Sequence, residues 1–123
     1  MLLVEDTADL RHLYARSLRQ HGCIVLDVAD ASAALEAVVE FSPDLVLTDV
    51  MMPAIDGIEL IRRLRARPEL AAIPIVAMTA SPTAEHERRA RGAGAVDFIV
   101  KPADIGRILG RFRHDRDATE GGL

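Results

Sequence analysis

Two patterns of apolar residues alternate along the chain. Short runs rich in branched side chains occur at residues 2–4 (LLV), 23–28 (CIVLDV), 44–49 (DLVLTD), 73–79 (IPIVAMT) and 96–100 (VDFIV). Each is apolar nearly throughout, the pattern of a strand buried on both faces. Between the runs, residues recur at helical spacing: Leu10, Leu13, Tyr14, Ser17 and Leu18, then Leu35, Val38 and Val39, then Ile58, Ile61 and Leu64. The last segment carries Ile105, Ile108, Leu109 and Phe112 at i, i+3, i+4 and i+7. Residues 83–94 (TAEHERRARGAG) form a fourth helix rich in Ala and Arg, with no large apolar stripe. It is expected to bury little and to move more readily than its neighbours. Helix starts are signalled by Asp30, by Asp56 with Glu59 three positions later, and by Ser81 followed by Pro82.

Five strands alternating with five helices imply a parallel sheet whose right-handed crossovers cover both faces with helices. The expected architecture is α/β, a doubly wound (βα)5 three-layer sandwich. A chain of 123 residues suits one domain and is too short for two. That domain is expected over residues 1–113, with residues 114–123 (HDRDATEGGL) a polar tail or linker stub. The first strand starts at Leu2, so it should be short and poorly anchored at its N-terminal end.

Composition narrows the function classes. Half the residues are apolar, 28% are charged and the formal charge is −4, the balance of a soluble globular domain without electrostatic bias toward nucleic acid. A lone cysteine, Cys23, excludes a disulfide framework and suggests a reducing compartment. No apolar stretch approaches membrane-spanning length, and the N-terminus lacks a signal peptide's basic flank and long apolar run, so a cytoplasmic location without membrane attachment is expected. Among fifteen basic residues Lys101 is the only lysine, and this single exception asks for a reason.

The reason lies where the strands end. Strand one ends in Glu5-Asp6, strand three in Asp49, strand four in Thr79 and strand five in Lys101. Open parallel sheets bind ligands outside the carboxyl ends of their strands, where strand order reverses. With the order 2-1-3-4-5, strands one and three are neighbours and three carboxylates converge. Such a cluster needs a cation, and hard oxygen donors in the absence of a Cys/His cluster suit Mg²⁺ better than zinc. Asp49 can then attack a phosphoryl group to give an aspartyl phosphate, with Thr79 and Lys101 meeting its oxygens. A lysine brings a compact charge that reaches one phosphoryl oxygen and a carboxylate together, where the broad arginine fork would not fit.

Other polar residues read as structural. Asp56-Gly57 is a helix cap beside a turn glycine, and His12, His21, His86 and His114 lack ligand spacing and read as surface. Met51 and Met52 are either contact surface or packing, and Arg88, Arg89 and Arg91 form a solvated helix face or part of a partner surface.

The segments LLVEDTADL, DLVLTDVMMPAIDGIEL, VAMTA and DFIVKP, in this order from Leu2 to about Phe112, resemble the receiver domain of bacterial two-component response regulators. The resemblance implies a flavodoxin-like fold and a phosphoprotein role. It makes Asp49 the phospho-acceptor, Asp6 a direct Mg²⁺ ligand, Glu5 an acid reaching the metal through water, and Met51 the donor of a backbone carbonyl. Thr79 and Lys101 match the switch threonine and phosphate-binding lysine, Phe98 the switch aromatic, and a cis bond is implied before Pro102. Met51 and Ser81 would influence phosphoryl lifetime. The implied partners are a sensor histidine kinase or phosphotransfer protein and a downstream protein or output domain. The resemblance also implies that the surface of the fourth helix, fifth strand and fifth helix is the output face, and it allows a phosphorylation-dependent homodimer through that surface. Such a domain is not an enzyme beyond catalysing its own phosphorylation and dephosphorylation.

Three other readings compete. A haloacid-dehalogenase phosphatase needs two aspartates two residues apart after strand one, where Asp6 and Asp9 are wrongly spaced. A flavin carrier would want a Ser/Thr/Gly-rich phosphate loop there, not an acidic pair. The third is a receiver fold that binds proteins without being phosphorylated; loss of an acid, the acceptor or the lysine would favour it, and none is lost.

Overall fold

The computed structural model describes residues 1–52 and 55–112. The strands are β1 (Leu2–Val4), β2 (Leu26–Val28), β3 (Val46–Asp49), β4 (Ile75–Thr79) and β5 (Asp97–Val100). The helices are α1 (Ala8–Gln20), α2 (Ala31–Ala37), α3 (Gly57–Arg65), α4 (Ala84–Ala93) and α5 (residues 105–112). All strand pairs are parallel, and the order is β2-β1-β3-β4-β5. Residues 114–123, expected as a tail, lie outside the described residues, as does His114.

Alternation along each strand divides the core in two. Leu2, Val4, Val46, Ile75 and Ala77 face α2, α3 and α4, whereas Leu3, Leu47, Val76 and Met78 face α1 and α5. The result is the three-layer sandwich expected from the strand and helix pattern. Ile58, Ile61 and Leu64 of α3 and Ile105, Ile108 and Leu109 of α5 are buried as their spacing predicts. On α4 only Ala90 is buried, consistent with its lack of a stripe.

Several expectations need correction. β2 runs only over Leu26–Val28, not from Cys23, because a strand extends only as far as its partner and β1 pairs from Leu2. Leu13 is 58% exposed and Val39 72%; α1 turns Tyr14, Ala15 and Leu18 inward, and α2 ends at Ala37 before Val39 can join its buried face. The start of α4 is capped by Thr83, whose hydroxyl accepts from the His86 amide at 3.0 Å, and not by Ser81. His12 and His21 are exposed as expected, but His86 is half-buried at that cap. The N-terminal end of β1 is well tied: Met1 O accepts from Leu26 N at 3.0 Å, and Leu2 N donates to Leu45 O at 2.9 Å.

Arg65, at the end of α3, joins three segments. Its guanidinium donates to Gly94 O at 2.8 and 3.0 Å, to Leu70 O at 3.1 Å and to Ile73 O at 2.6 Å. These carbonyls belong to the end of α4 and to the connection before β4. Gly94 has φ +125, and a Cβ there would lie 2.5 Å from the Arg65 side chain, so glycine is required on both counts. Arg65→Ala is expected to lower the unfolding free energy by about 2–3 kcal/mol in urea denaturation, with Arg65→Lys recovering less than half, since a single ammonium cannot span these carbonyls.

Candidate functional site

Parallel pairing brings the ends of β1, β3 and β5 to one edge of the sheet. β3 and β4 pair through Asp49↔Met78, β4 and β5 through Thr79↔Val100, and Lys101 N donates to Thr79 O at 2.8 Å. Lys101 is thereby aimed back over the sheet. Its ammonium donates to Asp49 Oδ2 at 2.9 Å and to Glu5 Oε1, so one buried cation joins two carboxylates that lie 44 positions apart in sequence. Asp49 Oδ1 accepts from Met51 N at 3.1 Å.

Glu5 and Asp6 are adjacent in sequence and opposite in environment. Glu5 is fully buried, while Asp6 is exposed. One carboxylate oxygen from each of Glu5, Asp6 and Asp49 can be chosen so that all lie within 4.8 Å of one another. Burial pushes the Glu5 carboxyl from its ordinary 4.5 up to about 7; the Lys101 hydrogen bond opposes that rise and Asp49 adds to it. Burial alone would lower the Lys101 pKa, but its bonds to Glu5 and Asp49 outweigh burial and hold it above its ordinary value. When all three acids are ionised, Lys101 balances one of their charges, and two remain to face a divalent cation. The donors are all oxygens and one carboxylate is open to solvent, a set that fits Mg²⁺.

The remaining expected residues lie on the neighbouring strands β4 and β5 and in the loop after β3. Thr79 is fully buried, and its hydroxyl accepts from Ser81 N at 3.1 Å. Met51 is 54% exposed beside Asp49, whereas Met52 is packed in the core, so only Met52 reads as packing. Phe98 is half-buried: it packs on the α4 side of the sheet and also lines a groove of about 380 Å³ with Pro102, Arg107, Ile108 and Arg111. The Lys101-Pro102 bond is cis.

Three contributors had no signal in the sequence. The Thr48 hydroxyl donates to Asp49 O at 3.1 Å. Arg11 Nη1 donates to Glu5 O at 2.9 Å, and its Nε lies 3.6 Å from Asp27 on β2. Gly57 follows the expected Asp56 cap, whose carboxylate accepts from Glu59 N at 2.9 Å, but its need for glycine is a matter of space and not of a turn. A Cβ on Gly57 would lie 1.9 Å from Asp49 O.

This fold and this lysine-bridged acidic edge place the chain among CheY-like receiver domains. A family model described as "Response regulator receiver domain" matches residues 1–113, and the chain belongs to that family, the receiver domains of two-component response regulators. It is 33% identical over 113 residues to the phosphate regulon transcriptional regulatory protein PhoB of Pseudomonas aeruginosa, covering 92% of this chain and 49% of that protein. It is 36% identical over 121 residues to the DNA-binding response regulator MtrA of Mycobacterium tuberculosis, covering 95% and 52%. The chain thus spans about half the length of these two relatives. Among solved structures, the chemotaxis protein CheY4 of Vibrio cholerae superposes with a TM-score of 0.85 at 26% identity, over 92% of this chain and 94% of that one. Among the described residues no helix is long and apolar enough to cross a membrane.

Gly57→Ala is expected to destabilise the domain by about 1–3 kcal/mol, the range for overpacking against rigid backbone, and thermal unfolding checks it. The raised Glu5 pKa carries a definite sign. Between about pH 4.5 and 7 the folded protein keeps a proton that the unfolded chain has lost, so this contribution is full below 4.5 and disappears as pH rises through about 7. In metal-free buffer, wild-type stability relative to Glu5→Gln is expected to fall across that window by at most about 3 kcal/mol, and a difference independent of pH would contradict it.

Proposed function

We propose that this chain is a phospho-accepting receiver whose domain occupies residues 1–113, with residues 114–123 serving as a tail or linker. A histidine kinase or phosphotransfer protein supplies the phosphoryl group. An Asp49 carboxylate oxygen forms a bond to phosphorus as the P–N bond of the donor phosphohistidine breaks, and the imidazole leaves with the electron pair and takes up a proton. Lys101 holds Asp49 in place and neutralises oxygen charge as it redistributes. Glu5, Asp6, Asp49 and the Met51 backbone carbonyl would hold Mg²⁺, which when bound screens the repulsion between the incoming phosphoryl group and the carboxylates.

The observation that carries this reading is the Lys101 ammonium held against Asp49 and Glu5 beside the exposed carboxylate of Asp6. The added charge of the phosphoryl group then favours a form in which the Thr79 hydroxyl leaves Ser81 N for a phosphoryl oxygen. Phe98 and α4 shift with it, α4 being the helix that buries only one residue. The face of α4, β5 and α5 is the output surface, for a downstream protein or output domain and for a homodimer.

Incubation with acetyl phosphate and Mg²⁺ is expected to add the mass of one phosphoryl group to the intact protein, and neither Asp49→Asn nor wild type in chelator should gain it. Asp6→Asn is expected to weaken Mg²⁺ binding at least about tenfold. No adduct, with no Mg²⁺-dependent response to beryllofluoride, would favour a protein-binding scaffold that works without phosphorylation.

A further inference from the structure

Tyr14 is the only tyrosine in the chain, and it is 2% exposed on the inner face of α1, in the same core cluster as Leu3, Ile105, Ile108 and Leu109. A ring alone would fill that space. The hydroxyl adds a polar atom that must be satisfied in a core of Leu and Ile side chains. It accepts a hydrogen bond from Ala103 N at 3.1 Å, a contact between residues 89 positions apart.

Ala103 is two residues beyond Lys101, and Pro102 between them has no N–H. Ala103 therefore offers the first backbone donor after the lysine. The other side of Lys101 is fixed where its own amide donates to Thr79 O at 2.8 Å. Lys101 is thus held on both flanks, by β4 before it and by a side chain of α1 after it. One turn earlier on α1, Arg11 donates to Glu5 O at 2.9 Å. Arg11 and Tyr14 are three residues apart on one helix face. A single rigid element therefore grips both loops whose side chains, Glu5 and Lys101, bond to each other.

We infer that Tyr14 is a positioning residue: its hydroxyl fixes the loop after β5 so that the Lys101 ammonium stays between Asp49 and Glu5. The geometric part stands on these contacts, while its effect on phosphoryl transfer rests on the function proposed for Asp49. Tyr14→Phe keeps the ring and removes the acceptor. Because Lys101 is the only lysine, protein made with lysine isotope-labelled at Nζ alone shows one side-chain NMR signal, and that signal reports the ammonium's surroundings without any phosphorylation. In Tyr14→Phe the lysine signal is expected to shift. Phosphorylation by acetyl phosphate should slow about tenfold, part of the roughly hundredfold loss that a 1 Å misplacement carries, with Mg²⁺ affinity within about twofold of wild type. A folded variant with an unmoved lysine signal and an unchanged rate would mean that Tyr14 only fills volume, and would overturn the inference. Should the variant fail to fold, amide exchange in the wild type decides, since an Ala103 amide exchanging as fast as an open loop would equally overturn it. A wild type that takes no phosphoryl group would refute the function of Asp49, and the lysine signal would still decide the role of Tyr14.

Discussion

The ammonium of Lys101, buried between the carboxylates of Glu5 and Asp49, is the contact on which the arrangement depends. A buried lysine loses its hydration and keeps its charge only where opposite charges and acceptors replace the water, and two carboxylates at the carboxyl edge of the sheet do so here. Removing one partner from such a pair leaves an uncompensated charge, a loss of about 3–5 kcal/mol. The contact ties together the ends of three strands, and it is available because the sheet places β1 beside β3 and the side chain of Lys101, after the edge strand β5, reaches past β4 to both. Around it the chain spends much of its polar side-chain chemistry on placement: Thr48 on the Asp49 carbonyl, Arg11 on the Glu5 carbonyl, and the loop after β5 on Tyr14.

The helices differ in how firmly they hold the sheet. α1 and α5 meet it through Tyr14, Ala15, Leu18, Ile105, Ile108 and Leu109, and α3 through four large apolar side chains. α4 offers one alanine, and its C-terminal end is secured instead by Arg65 through Gly94 O. Hydrogen bonds thus hold one end of α4 while little packing runs along its length, on the face that also carries Phe98 and the groove beside α5.

Much of this was legible in the chain itself. Short branched runs bounded by polar residues read as buried strands. That holds for β1, β3 and β4, while the edge strands β2 and β5 are only partly buried. Their alternation with helical spacing leaves few topologies, the three-layer sandwich among them. Acids and a lone lysine at strand ends name the candidate site, because the carboxyl edge is where an open parallel sheet binds. Where the pattern misled, local periodicity had been taken beyond what its partners allow. Leu13 and Val39 fit a helical stripe yet face water, since α1 turns Tyr14, Ala15 and Leu18 toward the sheet and α2 ends before Val39.

What only the tertiary structure decided concerns pairs of residues far apart in the chain. Nothing in Glu5-Asp6 says that the first carboxylate is buried under a lysine 96 positions away while the second is open to solvent. Gly57 looks like a turn residue until the Asp49 carbonyl is found where its Cβ would be. Tyr14 looks like core, and Arg65 like one more solvated arginine, until Ala103 N and the carbonyls around Gly94 come within reach. Periodicity and residue type report which face of an element is apolar and which chemistry stands at its end, because these are properties of neighbours in the chain. Close approach and hydrogen-bond partnership are properties of neighbours in space, and they exist only after the sheet has brought its strand ends together.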